Sequence, residues 1–272
     1  MDDMIAQPGT YTHGHHESVL RSHRWRTAEN STAFLIPHLR PGTSVLDIGC
    51  GPGTITLDFA ALVGPGQVLG VDNVDEPLEI ARAGAAERGL DNITFANADV
   101  YRLPYDDDSF DVVHAHQVLQ HLTDPVAALR EMRRVCKPGG IVAARDADYG
   151  GIRWSPDNPG LDRWLELYRQ VAQHNRAFPD GGRYLKTWAL AAGFSDITCT
   201  ASAWCFATPE ERTWWGNLWA DRIRRSSFAE QAQAHGLTTR EELEELATAW
   251  HRWIEAEDGW FAVLNGEIAC RP

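Results

Sequence analysis

The stretch Val45-Leu-Asp-Ile-Gly-Cys-Gly-Pro-Gly-Thr54 decides how the rest of the chain is read. Val45 to Ile48 have the apolar character of a buried strand. Gly49, Gly51 and Gly53 follow as a G-x-G-x-G turn, and a helical pattern begins at about Thr54. A strand that breaks into glycines and then a helix suits close approach of backbone to a ligand. Glycine has no Cβ to stand in the way, and a helix N-terminus presents free N–H groups. Asp47, just before the glycines, is placed to accept a hydrogen bond from a ligand ammonium.

Working outward, Gln67-Val-Leu-Gly-Val71 reads as the next strand and runs into Asp72. An acid about twenty residues beyond the glycines, at a strand end, suits the two hydroxyls of a ribose. The alternation continues. Strands are expected at about 43–48, 66–71, 92–97, 110–116 and 139–146, with helices at about 54–63, 76–88 and 124–135. Such alternation implies an α/β fold, a mainly parallel sheet covered on both faces. Ligands bind such sheets at the carboxyl ends of the strands. The first four ends carry Gly49, Asp72, Asp99 and His116-Gln117, so the candidate residues converge on one edge. Beyond Tyr149 the pattern gives helices at about 161–177 and 184–192 and a strand at 197–206. Long helices follow at 209–235 and 239–257, then a last strand at 260–270.

The glycine spacing is not the G-x-G-x-x-G of a dinucleotide-binding dehydrogenase. Asp47-Ile-Gly-Cys-Gly-Pro-Gly53 resembles the first motif of the class I S-adenosylmethionine-dependent methyltransferases. Gly70-Val-Asp72, Asn97-Ala-Asp99-Val100 with Leu103-Pro104, Ser109-Phe-Asp-Val-Val113 and the run Leu129 to Val142 resemble that family's later motifs in order. The nearest flavour is the ubiquinone and menaquinone biosynthesis group. The resemblance implies a doubly wound, mostly parallel seven-stranded sheet with a helical cap, and S-adenosylmethionine as cofactor. It implies that Asp47, Gly49, Gly51 and Gly53 cradle the methionine end and that Asp72 holds the ribose. Asp99 and Val100 would take the adenine. Asn73 stands where the family has an apolar residue, so Pro77 is expected to supply that contact. A tyrosine lid in relatives points to Tyr11. His116-Gln117 fall where the family lines the sulfonium pocket, with His116 a candidate general base. Three regions follow: an N-terminal lid and helix (1–40), a cofactor core (41–149), and the rest of the sheet with a substrate-covering cap (150–272). The cap would be built from about 150–178 and 208–257.

Asp146, Asp148 and Tyr149 follow the fifth strand at the expected mouth of the site, with Asp146 a second catalytic candidate and Arg153-Trp154 extending the rim. Arg24 and Trp25 are further candidates for the pocket. His114 and His116 alternate onto one side of their strand. Neither they nor Tyr11-Thr-His-Gly-His-His16 have the paired acids or cysteines of a metal site, so no metal is expected.

The formal net charge is −13, which argues against nucleic acid or an anionic membrane as partner. The five cysteines are scattered, as in a cytoplasmic protein with reduced thiols. No run of about 18 apolar residues suggests a membrane span. Of the 11 tryptophans, only Trp25 precedes residue 150. A second half so rich in indoles predicts a small-molecule acceptor that is bulky and apolar or aromatic, or an amine held by cation–π contact. The sequence leaves oligomeric state open, a homodimer included. It also leaves three other functions standing: non-methylating chemistry on S-adenosylmethionine such as a pericyclic reaction, a non-catalytic partner subunit, and, less favoured, an NAD-dependent oxidoreductase.

Overall fold

Val45–Ile48 form strand β1, and all four residues are buried, as the central strand of a doubly covered sheet requires. The computed structural model describes residues 17–272, with side chains from residue 21. Tyr11 and the histidine-rich run around it lie outside the described residues. Helix α1 (Glu17–Arg24) and the short α2 (Ala28–Ser31) precede β1. Thr27 caps α2 in a capping box with Asn30.

Four strands and three helices follow, with no helix between the third and fourth strands: α3 (Thr54–Val63), β2 (Val68–Asp72), α4 (Asp75–Glu87), β3 (Ile93–Asn97), β4 (Phe110–His116), α5 (Pro125–Val135) and β5 (Cys136–Ala147). Asp124 accepts from the Ala127 N–H, and Pro125 opens α5 with its ring in the first turn, where no backbone donor is needed. The remaining elements are β6 (Arg153–Ser155), α6 (Pro159–His174), α7 (Leu185–Ala191), β7 (Asp196–Phe206), α8 (Pro209–Arg225), α9 (Ser227–Ala234), α10 (Arg240–Glu255) and β8 (Trp260–Arg271).

The sheet order is β3-β2-β1-β4-β5-β8, with β7 on the far side of β8 and β6 continuing the near side. β1 to β5 pair in parallel; β8 runs antiparallel to β5, β6 and β7. The fold is therefore the expected mostly parallel α/β sheet closed by an antiparallel hairpin. It has eight strands rather than seven. The extra one, Arg153–Ser155, pairs with Trp260 to Ala262 in a stretch expected to be loop. A second difference lies at 209–235, expected as one helix. Ser226 adopts an extended backbone, its hydroxyl accepts from the Phe228 N–H, and α8 ends where α9 begins.

The apolar core has three parts. One faces α5 and α7 around Val113, Leu129 and Met132. A second faces α3 around Phe59 and Val63. The third joins the outer half of β8 to α6, α8, α9 and α10 around Trp164, Trp219, Trp250 and Phe261. Trp164 meets Trp219 and Trp250 edge to face, at centroid distances of 4.6 and 4.9 Å.

Candidate active site

At the carboxyl ends of β1 to β4 lies a cavity of about 360 Å³. Ten of the expected cofactor residues line it or its entry glycines: Asp47, Gly49, Gly51, Asp72, Asn73, Pro77, Asp99, Val100, His116 and Gln117. Gly53 stands behind it. There the backbone is left-handed (φ +76°), and an added Cβ would come within 2.7 Å of the Ala81 Cβ, so this glycine seats α3 against α4. Gly49 is also left-handed, and a Cβ there would collide with Val118 at 2.4 Å.

The glycine turn uses its own donors. The Cys50 N–H donates to the Val71 carbonyl (3.0 Å), Gly51 to the Asp72 carboxylate (2.9 Å) and Gly53 to the Cys50 carbonyl (3.0 Å). These three donors lie in the turn itself, ahead of the first residues of α3. Such a loop is a poor cradle for a diphosphate. Asp72 accepts from both the Gly51 and Val74 N–H groups, which fixes its carboxylate at the end of β2. Asp99 likewise accepts from the Tyr101 N–H. With Asp47, three carboxylates line this cavity against one guanidinium, Arg26, a balance that favours a cationic group over an anionic one. Between Asp72 and Asp99 the walls are apolar: Val74, Pro77 and Val100. Val74 supplies the surface that exposed Asn73 does not. That alternative escaped the sequence reading, because a single apolar residue next to Asn73 has no pattern to mark it.

Asp47 is buried, and protein groups hold both its oxygens. His114 Nδ1 lies 2.7 Å from Oδ1, and the Thr56 hydroxyl donates to Oδ2 at 2.6 Å. Its first task is therefore to brace β1 against β4 and α3. The Cys50 thiol is pushed well above its usual pKa by burial and by the charges of Asp47 and Asp72, which keeps it protonated and unreactive.

The two catalytic candidates do not keep their expected roles. His116 is buried, and its Nε2 lies 2.9 Å from the Arg145 guanidinium, which has only protons to offer. The lone pair a general base would use is occupied. Burial, then the charges of Arg26 and Arg145, drives its pKa well down, so the ring stays neutral. Strand register explains the contact, since His116 sits opposite Arg145 in the β4–β5 pairing. Asp146 is fully buried and does not line the cavity. It faces the turn after β4, where Oδ1 accepts from the Gln120 N–H at 3.4 Å. Burial raises its pKa to about 7 against the lowering effect of these backbone donors. Asp148 is also withdrawn from the mouth, held in a two-pronged ion pair with Arg183.

A second, smaller cavity of about 40 Å³ adjoins the first and shares His23, Arg26, Gln117 and His121 with it. Its walls include Trp25, Tyr149, Trp204, Trp215 and Trp219. Trp25 is thus a cavity residue as expected, whereas Arg24 is exposed. Trp154 stacks on Phe261 outside it. Gln117, at the junction, is held in a left-handed conformation (φ +58°). Its amide donates to Asn265 and its carbonyl accepts from Gln120. A non-glycine residue in that region carries strain and persists where its surroundings hold it. His121, also at the junction, has its pKa lowered to about 3 by burial and Arg26.

The larger cavity thus sits at the carboxyl ends of four parallel strands, where doubly wound α/β folds bind their ligands. Residues 39–220 match the family model described as "Methyltransferase domain", and the chain belongs to that family. A methyltransferase of Schizosaccharomyces pombe is 35% identical over 269 residues, covering 95% of each chain. The ubiquinone/menaquinone biosynthesis C-methyltransferase of Ectopseudomonas mendocina is 34% identical over 181 residues, 59% of this chain and 68% of that one. Among solved structures, a phosphoethanolamine N-methyltransferase of Haemonchus contortus, in complex with S-adenosylhomocysteine, superposes with a TM-score of 0.57 at 22% identity. That match covers 89% of this chain and 52% of the other.

Proposed function

We propose that the larger cavity binds S-adenosylmethionine and that the smaller one seats a bulky, aromatic or apolar small molecule that receives its methyl group. The observation that carries this reading is the shared wall. Gln117 and His121 face both cavities, so a donor in one and an acceptor in the other meet there. Asp72 would take the ribose hydroxyls. Asp99 would take the adenine amino group between Val74, Pro77 and Val100.

The cofactor, when bound, supplies a methyl group already activated on a sulfonium. The protein then needs to hold the acceptor in line and keep water out. Gln117, fixed from two sides, positions the junction, and the indoles of the second cavity exclude water. His116 acts as a neutral donor and spacer rather than a base. The acceptor must therefore arrive in a form that needs no proton removed by that ring.

Calorimetric titration with S-adenosylmethionine, S-adenosylhomocysteine and NADH tests the cofactor. Both adenosyl ligands are expected to bind and NADH is not. Asp72→Ala should weaken adenosyl binding by roughly 1–3 kcal/mol, the loss expected for a hydrogen-bonded charged group. NADH binding alone overturns the proposal.

A further inference from the structure

The sheet ends on one side in β7, and this edge differs from the opposite one. β7 (Asp196–Phe206) has 11 residues and pairs with β8 along its whole length. Among the described residues no strand pairs with its other side. Such an edge offers a row of backbone donors and acceptors to any strand that can lie beside it. Proteins usually blunt it with charges, proline, bulges or short length. The opposite edge is blunted in this way: β3 has 5 residues, and its Phe95 carbonyl takes an N–H of Arg82. β7 has none of these devices. From Ile197 to Phe206 it holds no charge, no proline and no glycine, and its register against β8 is unbroken. Asp196, at its start, pairs with Arg271 at 3.7 Å.

The ladder fixes which backbone groups face outward. The Leu264 carbonyl accepts from the Asp148 N–H, so Leu264 turns its backbone toward the β5 side. Its neighbours Val263 and Asn265 then turn theirs toward β7, where Trp204 and Ser202 lie opposite them. Cys199, Ala201, Ala203 and Cys205 fall on the alternate positions, with N–H and C=O groups directed away from the sheet. All four residues are exposed. Their side chains share one face with Leu264, which lies opposite Ala203 and is exposed as well.

These outward positions read the same from either end. Cys199-Thr-Ala-Ser-Ala-Trp-Cys205 is symmetric about Ser202 at each of them. A two-fold axis through Ser202 sets the strand antiparallel to a copy of itself, with Cys199 opposite the partner's Cys205 and Ala201 opposite the partner's Ala203. Outward-facing groups then meet outward-facing groups, as an antiparallel ladder requires, and a shift of one residue would break that match. Charge favours the same occupant. The chain carries −13, and two copies can meet along this strip without opposing like charges. We propose that β7 pairs with β7 of a second copy of this chain, joining the two sheets across a two-fold axis at Ser202. The interface is isologous, each copy giving the same residues to it. The strand held in this way carries Trp204, a wall of the smaller cavity.

Sedimentation of the full chain in reducing buffer should give a species of twice 30.3 kDa. Ala201→Pro removes an outward N–H, and Ala201→Lys puts a charge on each side of the axis. Each should weaken association at least about tenfold. Lysine at an exposed strand position leaves the backbone unchanged, so the test stays readable if proline harms folding. Register is read with diamide, which takes up two protons and two electrons from two thiols as their disulfide forms. The wild type should give a covalent dimer. Cys199→Ser alone and Cys205→Ser alone should not, because the remaining like cysteines lie six residues apart along the pair, roughly 20 Å. An equimolar mixture of the two variants should regain the crosslink, from Cys199 of one copy to Cys205 of the other. A monomer at every concentration, a dimer unaffected by both Ala201 variants, or a wild-type dimer that diamide does not link overturns the proposal. So does crosslinking of either serine variant alone as complete as that of the wild type.

Discussion

Asp146 shows how a residue next to the site acts through the fold rather than through chemistry. Its carboxyl is fully buried, faces the backbone donors of the turn after β4, and has its pKa raised from 3.8 to about 7. The native state therefore holds a proton that the unfolded chain releases from about pH 4 upward. The stability linked to that proton is fully present below about pH 3.8 and is lost as pH rises to about 7. The slope from this group is roughly 1 kcal/mol per pH unit inside that window. Asp146→Asn removes it. Urea unfolding at pH 5 and pH 8 should show a smaller stability difference in the variant than in the wild type. An unchanged difference would mean the carboxyl is ionised throughout. At this scale the sequence reading identified positions better than roles. Asp72 and Asp99 came out where spacing put them, because a strand end fixes a residue's place. His116 and Asp146 did not keep their roles, because these depend on partners from another strand and another turn. Arg145 lies 29 positions from His116 in the chain, and only sheet register brings them together.

Among the elements, the α3–α4 contact depends on Gly53 having no side chain. Gly53→Ala combines a left-handed backbone, costing about 1–2 kcal/mol, with overpacking against Ala81 of about 1–3 kcal/mol. The variant should unfold at clearly lower denaturant. Gly53→Ala/Ala81→Gly should recover part of that loss, since it removes the collision but not the backbone strain. No recovery would place the whole cost in the backbone. From β1 to β4 the helices and strands keep within two residues of their expected limits, because apolar periodicity and glycines bound them, whereas β5 begins three residues early, at Cys136. Two elements did not show themselves. β6 has three residues, too few for alternation to register, and it exists through pairing with β8. The break between α8 and α9 rests on one serine that continues a helical pattern on paper but turns its hydroxyl to its own backbone.

Taken whole, the molecule couples an α/β sheet to a tryptophan-centred cluster through β8, whose Phe261 belongs to that cluster while Ile268 belongs to the sheet core. Trp164, fully buried between two other indoles, is the keystone of the cluster. Trp164→Ala should cost roughly 3–5 kcal/mol in unfolding free energy, by cavity formation and lost edge-to-face contacts. The affinity for S-adenosylhomocysteine should change less than about threefold, as the larger cavity lies at the carboxyl ends of β1 to β4 and Trp164 does not line it. A large loss of that affinity would show that the cluster shapes the cofactor cavity as well.

The placement of the tryptophans also has an optical consequence. No indole lines the larger cavity, while four line the smaller one, two of them beneath guanidinium groups. The protein's own ultraviolet emission should therefore respond weakly to a molecule entering the first cavity and strongly to one entering the second. Light from Trp25, Trp204, Trp215 and Trp219 gives a label-free signal that distinguishes the two events in a single cuvette, and a way to sort candidate acceptors before any product is sought.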